Sequence, residues 1–411
     1  MRVAVYTHYF TPEIGAPSAR IREMARAWVA QGNPVDVVTC FPNHPTGKLY
    51  PGYKGGLYAT ETIDGIRVHR HWTYVTPNRG LLKKTLGHIS YLPSAVFLSG
   101  RHLRRADAYI GSSPTFFAAM AAASAAAMNR APFIMEVRDL WPAIFVELGV
   151  LKNRRIISAL ERLELSLYRR ATKVVTVTES FRQNLIERGI PEEKVVTITN
   201  GADTSFWQAQ KNPATLQELN LQGKFVVLYI GAHGISQGLG SVLDAASALR
   251  DETDIAFLFV GEGAVKDDLM KRAQDQKLDN VTFLPSVEKE QVRDFYSACD
   301  VAIVPLRNIP LFETFLPSKI FEIMSMSRPL IGAFAGEAAG IVNASGGGIV
   351  VPPEDGKRIA EAIVRLRDDP HSRRKLGEAG REFVIREYSR DALASRYQSV
   401  ISDAIRVYSK R

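Results

Sequence analysis

Short apolar runs alternate with stretches of helical periodicity almost from the first residue. Such alternation admits little except βαβ units wound into parallel sheets. Val3-Ala4-Val5-Tyr6 opens the series, and residues 18–31 follow with Ile21, Met24, Ala25 and Trp28 on one helical face before Gly32. Residues 35–39 read as a second strand, and 108–111, 133–137 and 173–178 as further strands. An Ala-rich helix over 116–128 and a helix over 156–170 separate them. After Asn200-Gly201-Ala202-Asp203 strand character lapses, then returns with Phe225-Val226-Val227-Leu228-Tyr229-Ile230. The alternation then repeats: helix 239–250, strand 256–260, helix 265–276, strand 281–283, helix 289–298, strand 301–304, helix 318–326, strand 329–333. Residues 374–408 read as helices without strands. A chain of 411 residues exceeds what one core usually serves. The pattern therefore predicts an α/β protein of two Rossmann-like domains, 1–204 and 205–385, with 386–411 closing the chain as a helix.

The charge balance narrows the partners. Lysine and arginine number 52 against 43 acidic residues, a net charge of +9 that favours nucleotides, nucleic acid or anionic lipid. Cys40 and Cys299 are the only cysteines, which excludes a disulfide framework and a zinc cluster. No apolar run reaches the length of a signal peptide or a membrane span, so a cytoplasmic protein is expected. Residues 79–105 place basic residues, among them Arg79, Lys83, Lys84 and Arg105, around an apolar middle with Tyr91 and Phe97. That arrangement suits docking on the inner face of the plasma membrane, and it equally suits a core helix with a solvated end.

In an open parallel sheet ligands sit outside the carboxyl ends of the strands, so the loops after strands are where chemistry is sought. The first, residues 7–18, contains Gly15 at a helix start, where close approach of a phosphate to amide groups is possible; a plain turn is the competing reading. The loop at 231–240 carries Gly231, Gly234, Gly238 and Gly240, with His233 as a further donor. Its spacing is not that of a dinucleotide fingerprint. Gly261-Glu262-Gly263 is a smaller loop of the same kind, or a simple turn. Within Pro317-Ser318-Lys319-Ile320-Phe321-Glu322, Ser318 is a candidate N-cap and Lys319 lies in the first turn, where it opposes the helix dipole unless an anion is present. Glu322 stands one turn further on the same side, placed to hold a ribose, with a surface ion pair as the alternative. Arg138 and Asp139 end a strand, as a structural pair or as functional groups. No Asp-x-Asp pair occurs, so the usual carboxylate clamp for a divalent ion is missing and phosphate charge falls to cations and helix starts.

These motifs, from Tyr9-Phe10-Thr11-Pro12-Glu13 through Asn200-Gly201-Ala202-Asp203 to Pro317-Ser318-Lys319 with Glu322, resemble the retaining glycosyltransferase family 4 over essentially the whole chain. Arg138-Asp139-Leu140-Trp141-Pro142 and Gly231-Ala232-His233-Gly234 are most similar to the branch that transfers N-acetyl-L-fucosamine or related amino sugars in O-antigen and capsule assembly. The resemblance implies a GT-B fold, two Rossmann-like domains facing across a cleft, with C-terminal helices crossing back to the first. It implies a nucleotide-diphosphate sugar donor, UDP-linked, and a polyprenyl-diphosphate-linked glycan acceptor, with no cofactor and no required metal. Gly15, Gly231, His233, Gly234, Gly261, Gly263, Pro317, Ser318, Lys319 and Glu322 would then hold the donor, with Gly15 approaching from the N-terminal domain. Arg138, Asp139, Lys319 and Glu322 would carry the reaction, and His8, Glu13 and Arg20 would face the acceptor. Three positions depart from the family pattern. Its earlier glutamate falls on Thr314, its diphosphate-binding arginine and lysine fall near Ala232 and Gln237, and its histidine beside the reacting sugar falls on Arg138. Two rivals share parts of this pattern. A nucleotide-sugar 2-epimerase of the same architecture would also need a diphosphate site, whereas a non-enzymatic basic binding protein would leave the glycine loops without purpose.

Overall fold

The computed structural model describes residues 1–411 except 14, 45, 77–80, 104, 114, 148, 150, 210–214 and 411, and for 16, 81–85 and 100–102 it describes backbone alone. The chain divides into two compact units, Met1–Thr199 with Arg390–Arg411, and Asn200–Ser389. The breaks therefore fall at 199/200 and 389/390, where the sequence pattern suggests 204/205 and 385/386.

The first unit is built on eight strands: β1 Val3–Tyr6, β2 Val35–Cys40, β3 Tyr58–Ile63, β4 Ile66–His71, β5 Ala108–Ser112, β6 Phe133–Val137, β7 Lys173–Thr176 and β8 Val195–Thr197. Their order is β3-β4-β2-β1-β5-β6-β7-β8, parallel apart from the antiparallel β3–β4 pair at one edge. Sequence periodicity does not find β3, β4 or β8. In β4, Arg67, His69 and Arg70 interrupt the apolar pattern; His69 and Arg70 are buried, Arg67 partly so, and all three are paired. Arg67 and His69 reach Asp36 of β2, and Arg70 pairs with Glu61 of β3 at 2.6 Å. The last helix, Arg390–Tyr408, belongs to this unit. Leu393, Ala394, Tyr397 and Ile401 enter the core that also holds Val3, Val5, Met24 and Trp28. Trp28 Nε1 donates to the Ala394 carbonyl at 3.0 Å, and Arg390 pairs with buried Glu23 at 2.7 Å. Chain return is thus fixed by apolar burial and two directional bonds.

The second unit carries six strands: β9 Phe225–Ile230, β10 Ile255–Val260, β11 Val281–Leu284, β12 Val301–Pro305, β13 Leu330–Ala333 and β14 Gly348–Val351. They are all parallel in the order β11-β10-β9-β12-β13-β14. Every residue of β9 and β10 is buried, as expected of a sheet covered on both faces, and each fully buried Val, Leu, Ile or Phe contributes about 1.5–3 kcal/mol. The helices Gly240–Ala248 and Gly356–Asp368 cover this sheet through Leu243, Ala246, Ile359 and Ile363. Asn200-Gly201-Ala202-Asp203 opens the unit. The Ala202 amide donates to the Tyr388 carbonyl at 3.1 Å, tying the unit's two ends together, and Asp203 Oδ1 accepts from the Ser205 and Phe206 amides.

Candidate functional site

Strand order in the second unit reverses between β9 and β12, the position at which a doubly wound sheet opens a ligand crevice at its carboxyl edge. The loops after these two strands bring together residues nearly ninety positions apart. Lys319 begins the helix Lys319–Ser325 after β12, and its Nζ donates to the carbonyl of Ile230, the last residue of β9, at 3.0 Å. The ammonium lies 4.4 Å from the centre of the Tyr229 ring. Gly231 takes φ +141°, and a Cβ there would stand 2.5 Å from Lys319 Nζ. An ammonium has three N–H donors, so one carbonyl leaves two for a ligand. Loss of hydration on burial pulls the Lys319 ammonium down to about 8, against a smaller opposing pull from Glu322. Glu322 is partly exposed on the same short helix. Tyr229 was not singled out by sequence reasoning, because its role arises only from the neighbouring strand.

Other predicted donor residues are placed differently. Ser318 already has helical backbone angles and makes no side-chain capping bond, so the hydroxyl is not the helix cap that its position suggests. Pro317 follows Leu316, whose carbonyl accepts from Asn200 Nδ2 at 3.4 Å. Gly234 opens a short 3-10 turn, Ile235–Gln237. His233 is fully buried, its ring packed among Tyr229, Phe259 and Phe283 with centroids 5.5–6.4 Å apart, and neither ring nitrogen has a hydrogen-bond partner. Burial, with Lys266 adding to it, lowers its pKa to about 4, so the ring is neutral and turned into the apolar interior rather than toward a phosphate. Gly261 and Gly263 have a packing reason. A Cβ on Gly261 would strike the Gly231 carbonyl, and one on Gly263 the His233 carbonyl. Amide bonds from Gly231 to Val260 at 2.9 Å and from His233 to Glu262 at 2.8 Å hold these loops side by side. Thr314, at the family's earlier glutamate, turns its hydroxyl to the Leu311 carbonyl at 2.6 Å.

In the first unit the corresponding reversal lies between β1 and β5. Gly15 is exposed at φ +146° and precedes the helix Ala16–Ala30. His8, after β1, lines a small pocket with Tyr9, His44, Thr73, Tyr74 and His88, and its ring lies 4.5 Å from that of His88. Glu13 and Arg20, read from the sequence as acceptor contacts, are instead taken up internally. The Glu13 carboxylate accepts from the amides of Phe10, Asn43 and His44 at 2.8–3.2 Å, although burial still raises its pKa. Arg20 pairs with fully buried Glu136 at 3.0 Å and donates to the Ile198 and Thr199 carbonyls. Burial works to raise the Glu136 pKa, but Arg20 and Arg138 outweigh it and hold the carboxylate ionised. Arg138 and Asp139 follow β6, and burial lifts Asp139 to about 6 against the pull of Arg138. Residues Leu81–His102 form a helix that exposes Leu86, Ile89 and Phe97. The side chains of Lys83 and Lys84 lie outside the described residues, as does Arg79.

Known proteins share this organisation. The glycosyl transferase 4-like domain matches residues 15–201, and glycosyl transferases group 1 matches residues 212–383. The putative colanic acid biosynthesis glycosyl transferase WcaI of Escherichia coli K12 is 28% identical over 334 residues, covering 79% of this chain and 81% of that protein. Sucrose-phosphate synthase from Thermosynechococcus elongatus superposes with a TM-score of 0.77 at 20% identity, covering 98% of each chain. Anabaena HepE in complex with UDP-glucose superposes at 0.74 and 17% identity, covering 98% of this chain and 100% of that one. These structural likenesses give the fold as GT-B. With one domain family matched in each unit, the chain belongs to the two-domain glycosyltransferases, a glycosyl transferase 4-like unit followed by a group 1 unit.

Proposed function

We propose that the protein transfers a sugar from a nucleoside-diphosphate donor, held at the β9/β12 edge of the second unit, to a lipid-linked saccharide in bacterial surface polysaccharide synthesis. The observation that carries this reading is Lys319 reaching the Gly231 turn from the β12 side. The family's diphosphate-binding arginine and lysine fall near Ala232 and Gln237 here, and the Lys319 ammonium stands at the same turn. HepE with UDP-glucose supports a uridine donor, the name of WcaI supports polysaccharide synthesis, and the branch resemblance supports an N-acetylated amino sugar. The reaction retains configuration. The bond from the anomeric carbon to the phosphate oxygen breaks, the acceptor oxygen bonds to the same face, and the departing diphosphate takes the acceptor proton. Charge on that diphosphate is met by Lys319 and main-chain amides, with no metal needed; Glu322 holds the ribose hydroxyls. Calorimetry with UDP and a panel of UDP-sugars, followed by nucleotide release with and without lipid-linked acceptor, tests it. Uptake that persists in EDTA is expected. An absence of uptake, or its abolition by EDTA, overturns the reading, and an epimerised donor without transfer would favour the isomerase.

The exposed apolar face of the first unit supports attachment to a membrane surface. Leu86, Ile89 and Phe97 are 52%, 43% and 75% exposed, and Trp72 and Tyr74 lie exposed nearby in sequence. No helix among the described residues is long and apolar enough to cross a bilayer. Leu86→Glu with Phe97→Glu should reduce co-flotation with vesicles of anionic phospholipid by about tenfold or more, since each lost apolar anchor is worth ~1.5–3 kcal/mol. Unchanged flotation would remove this face as the attachment surface.

A further inference from the structure

Among the described residues at the first unit's carboxyl edge, Arg138 is a cation with two buried guanidinium nitrogens and no hydrogen-bonded anion. The edge contains three arginines in one electrostatic neighbourhood. Arg20 is consumed by Glu136, and Arg390 is paired with Glu23. Glu136 also accepts from Ser112 Oγ at 2.6 Å. Arg138 Nε and Nη1 are sealed from solvent, and neither has a hydrogen-bond acceptor among the described residues. The main chain beneath is fixed, because the Arg138 amide donates to Ser113 Oγ at 2.8 Å and Trp141 stacks on Phe116 at 4.9 Å. Glu136 and Asp139 attract the guanidinium through space, but neither accepts a hydrogen bond from Nε or Nη1. The residue as a whole is only partly covered, and Nη2 is not among the sealed atoms, so a ligand can reach the guanidinium there.

A guanidinium in such a place is costly unless something pairs with it, since buried charges are otherwise compensated. It also keeps Nη2, outside the sealed pair, for a charge-assisted hydrogen bond to a flat or tetrahedral oxyanion. We propose that Arg138 binds an anionic group of the acceptor, a phosphate or a sugar carboxylate, and so selects acceptors that carry one. This rests on the transferase reading and concerns a residue of the first unit, whereas the donor phosphates are assigned to Lys319 of the second. Arg138 is then a specificity residue whose guanidinium gains a hydrogen-bonded anion only when acceptor is bound.

The test uses the full chain and two simple probes, sodium glucuronate for the carboxylate and sn-glycerol 3-phosphate for the phosphate, titrated by calorimetry, with UDP titrated in parallel. Wild type is expected to bind one probe, which identifies the source of the charge. Arg138→Met should weaken that probe about tenfold to a hundredfold, the worth of a charged hydrogen bond or two. Arg138→Lys, which keeps the charge and loses the fork, should fall between. UDP affinity in Arg138→Met should stay within about twofold of wild type. If Arg138→Met does not fold, Arg138→Gln decides by the same titrations. Failure of wild type to bind either probe overturns the proposal, as does equal probe binding by the variant. A loss of UDP affinity matching the loss of the probe also overturns it, assigning Arg138 to the donor. Failure of wild type to take up UDP sinks the donor reading instead, and leaves the probe titrations to stand by themselves.

Discussion

Lys319→Met is expected to lower turnover of the sugar-nucleotide donor by roughly 10²–10³-fold, the usual consequence of removing one preorganised charge from a transition state that develops negative oxygen. The residue is anchored by a single carbonyl and an aromatic face, 3.0 Å from Ile230 O and 4.4 Å from the Tyr229 ring centre, so the variant should fold. The ammonium titrates at about 8 in the empty protein. Donor affinity should therefore be flat below about pH 7 and fall above 8. The slope reaches at most tenfold per pH unit, until the higher pKa of the donor-bound lysine is passed. The methionine variant should lack that dependence. The sign for stability is opposite. A folded pKa below the unfolded value of 10.5 means that the unfolded chain holds more protons between the two, so the empty protein gains stability as pH rises from about 8 toward 10.5. Wild-type turnover in Lys319→Met, or a pH profile shared by both proteins, would remove the lysine from the donor site.

Gly261→Ala should be as damaging to folding as Lys319→Met is to chemistry. Gly261 sits at φ +143°, a conformation side chains rarely adopt, and its new β-carbon would run into the Gly231 carbonyl oxygen. Backbone strain and overpacking together cost about 3–5 kcal/mol, which for a unit of this size lowers the melting temperature by roughly 10 °C. Because the same collision pushes on the Gly231 turn, nucleotide affinity should fall alongside. Thermal melts with parallel UDP titration give both readings. An unaltered melt would mean that the two loops separate at little cost and that the glycine serves something else.

How much of this was written in the sequence depends on whether a residue's partner is local. The strands Val3–Tyr6, Phe225–Ile230 and Val301–Pro305 were legible because each is a continuous apolar run between loops. Tyr58–Ile63 and Ile66–His71 were not, since Glu61, Arg67 and Arg70 look solvated until Asp36 and the facing strand are supplied. The site shows the same divide. Lys319 was picked out by its uneasy place in a helix's first turn, yet the turn it meets is a consequence of β9 lying beside β12. His233 reads as a phosphate donor when only its loop is considered, and the aromatic rings that enclose it come from β9, β10 and β11. Glu13 and Arg20 look like ligands for a substrate because their amide, carbonyl and carboxylate partners come from elsewhere in the fold.

Residues 200–389 leave the first unit and come back to it, with Ala202 bonded to Tyr388 where the segment closes. In genetic terms the second unit is a cassette inserted into the first, whose own core is finished only when Arg390–Tyr408 has been synthesised. A ribosome releasing this polypeptide can complete the second unit first, while the earlier one waits for the nineteen-residue helix that follows it. Any truncation or tag that disturbs that helix therefore strikes the beginning of the protein, not its end.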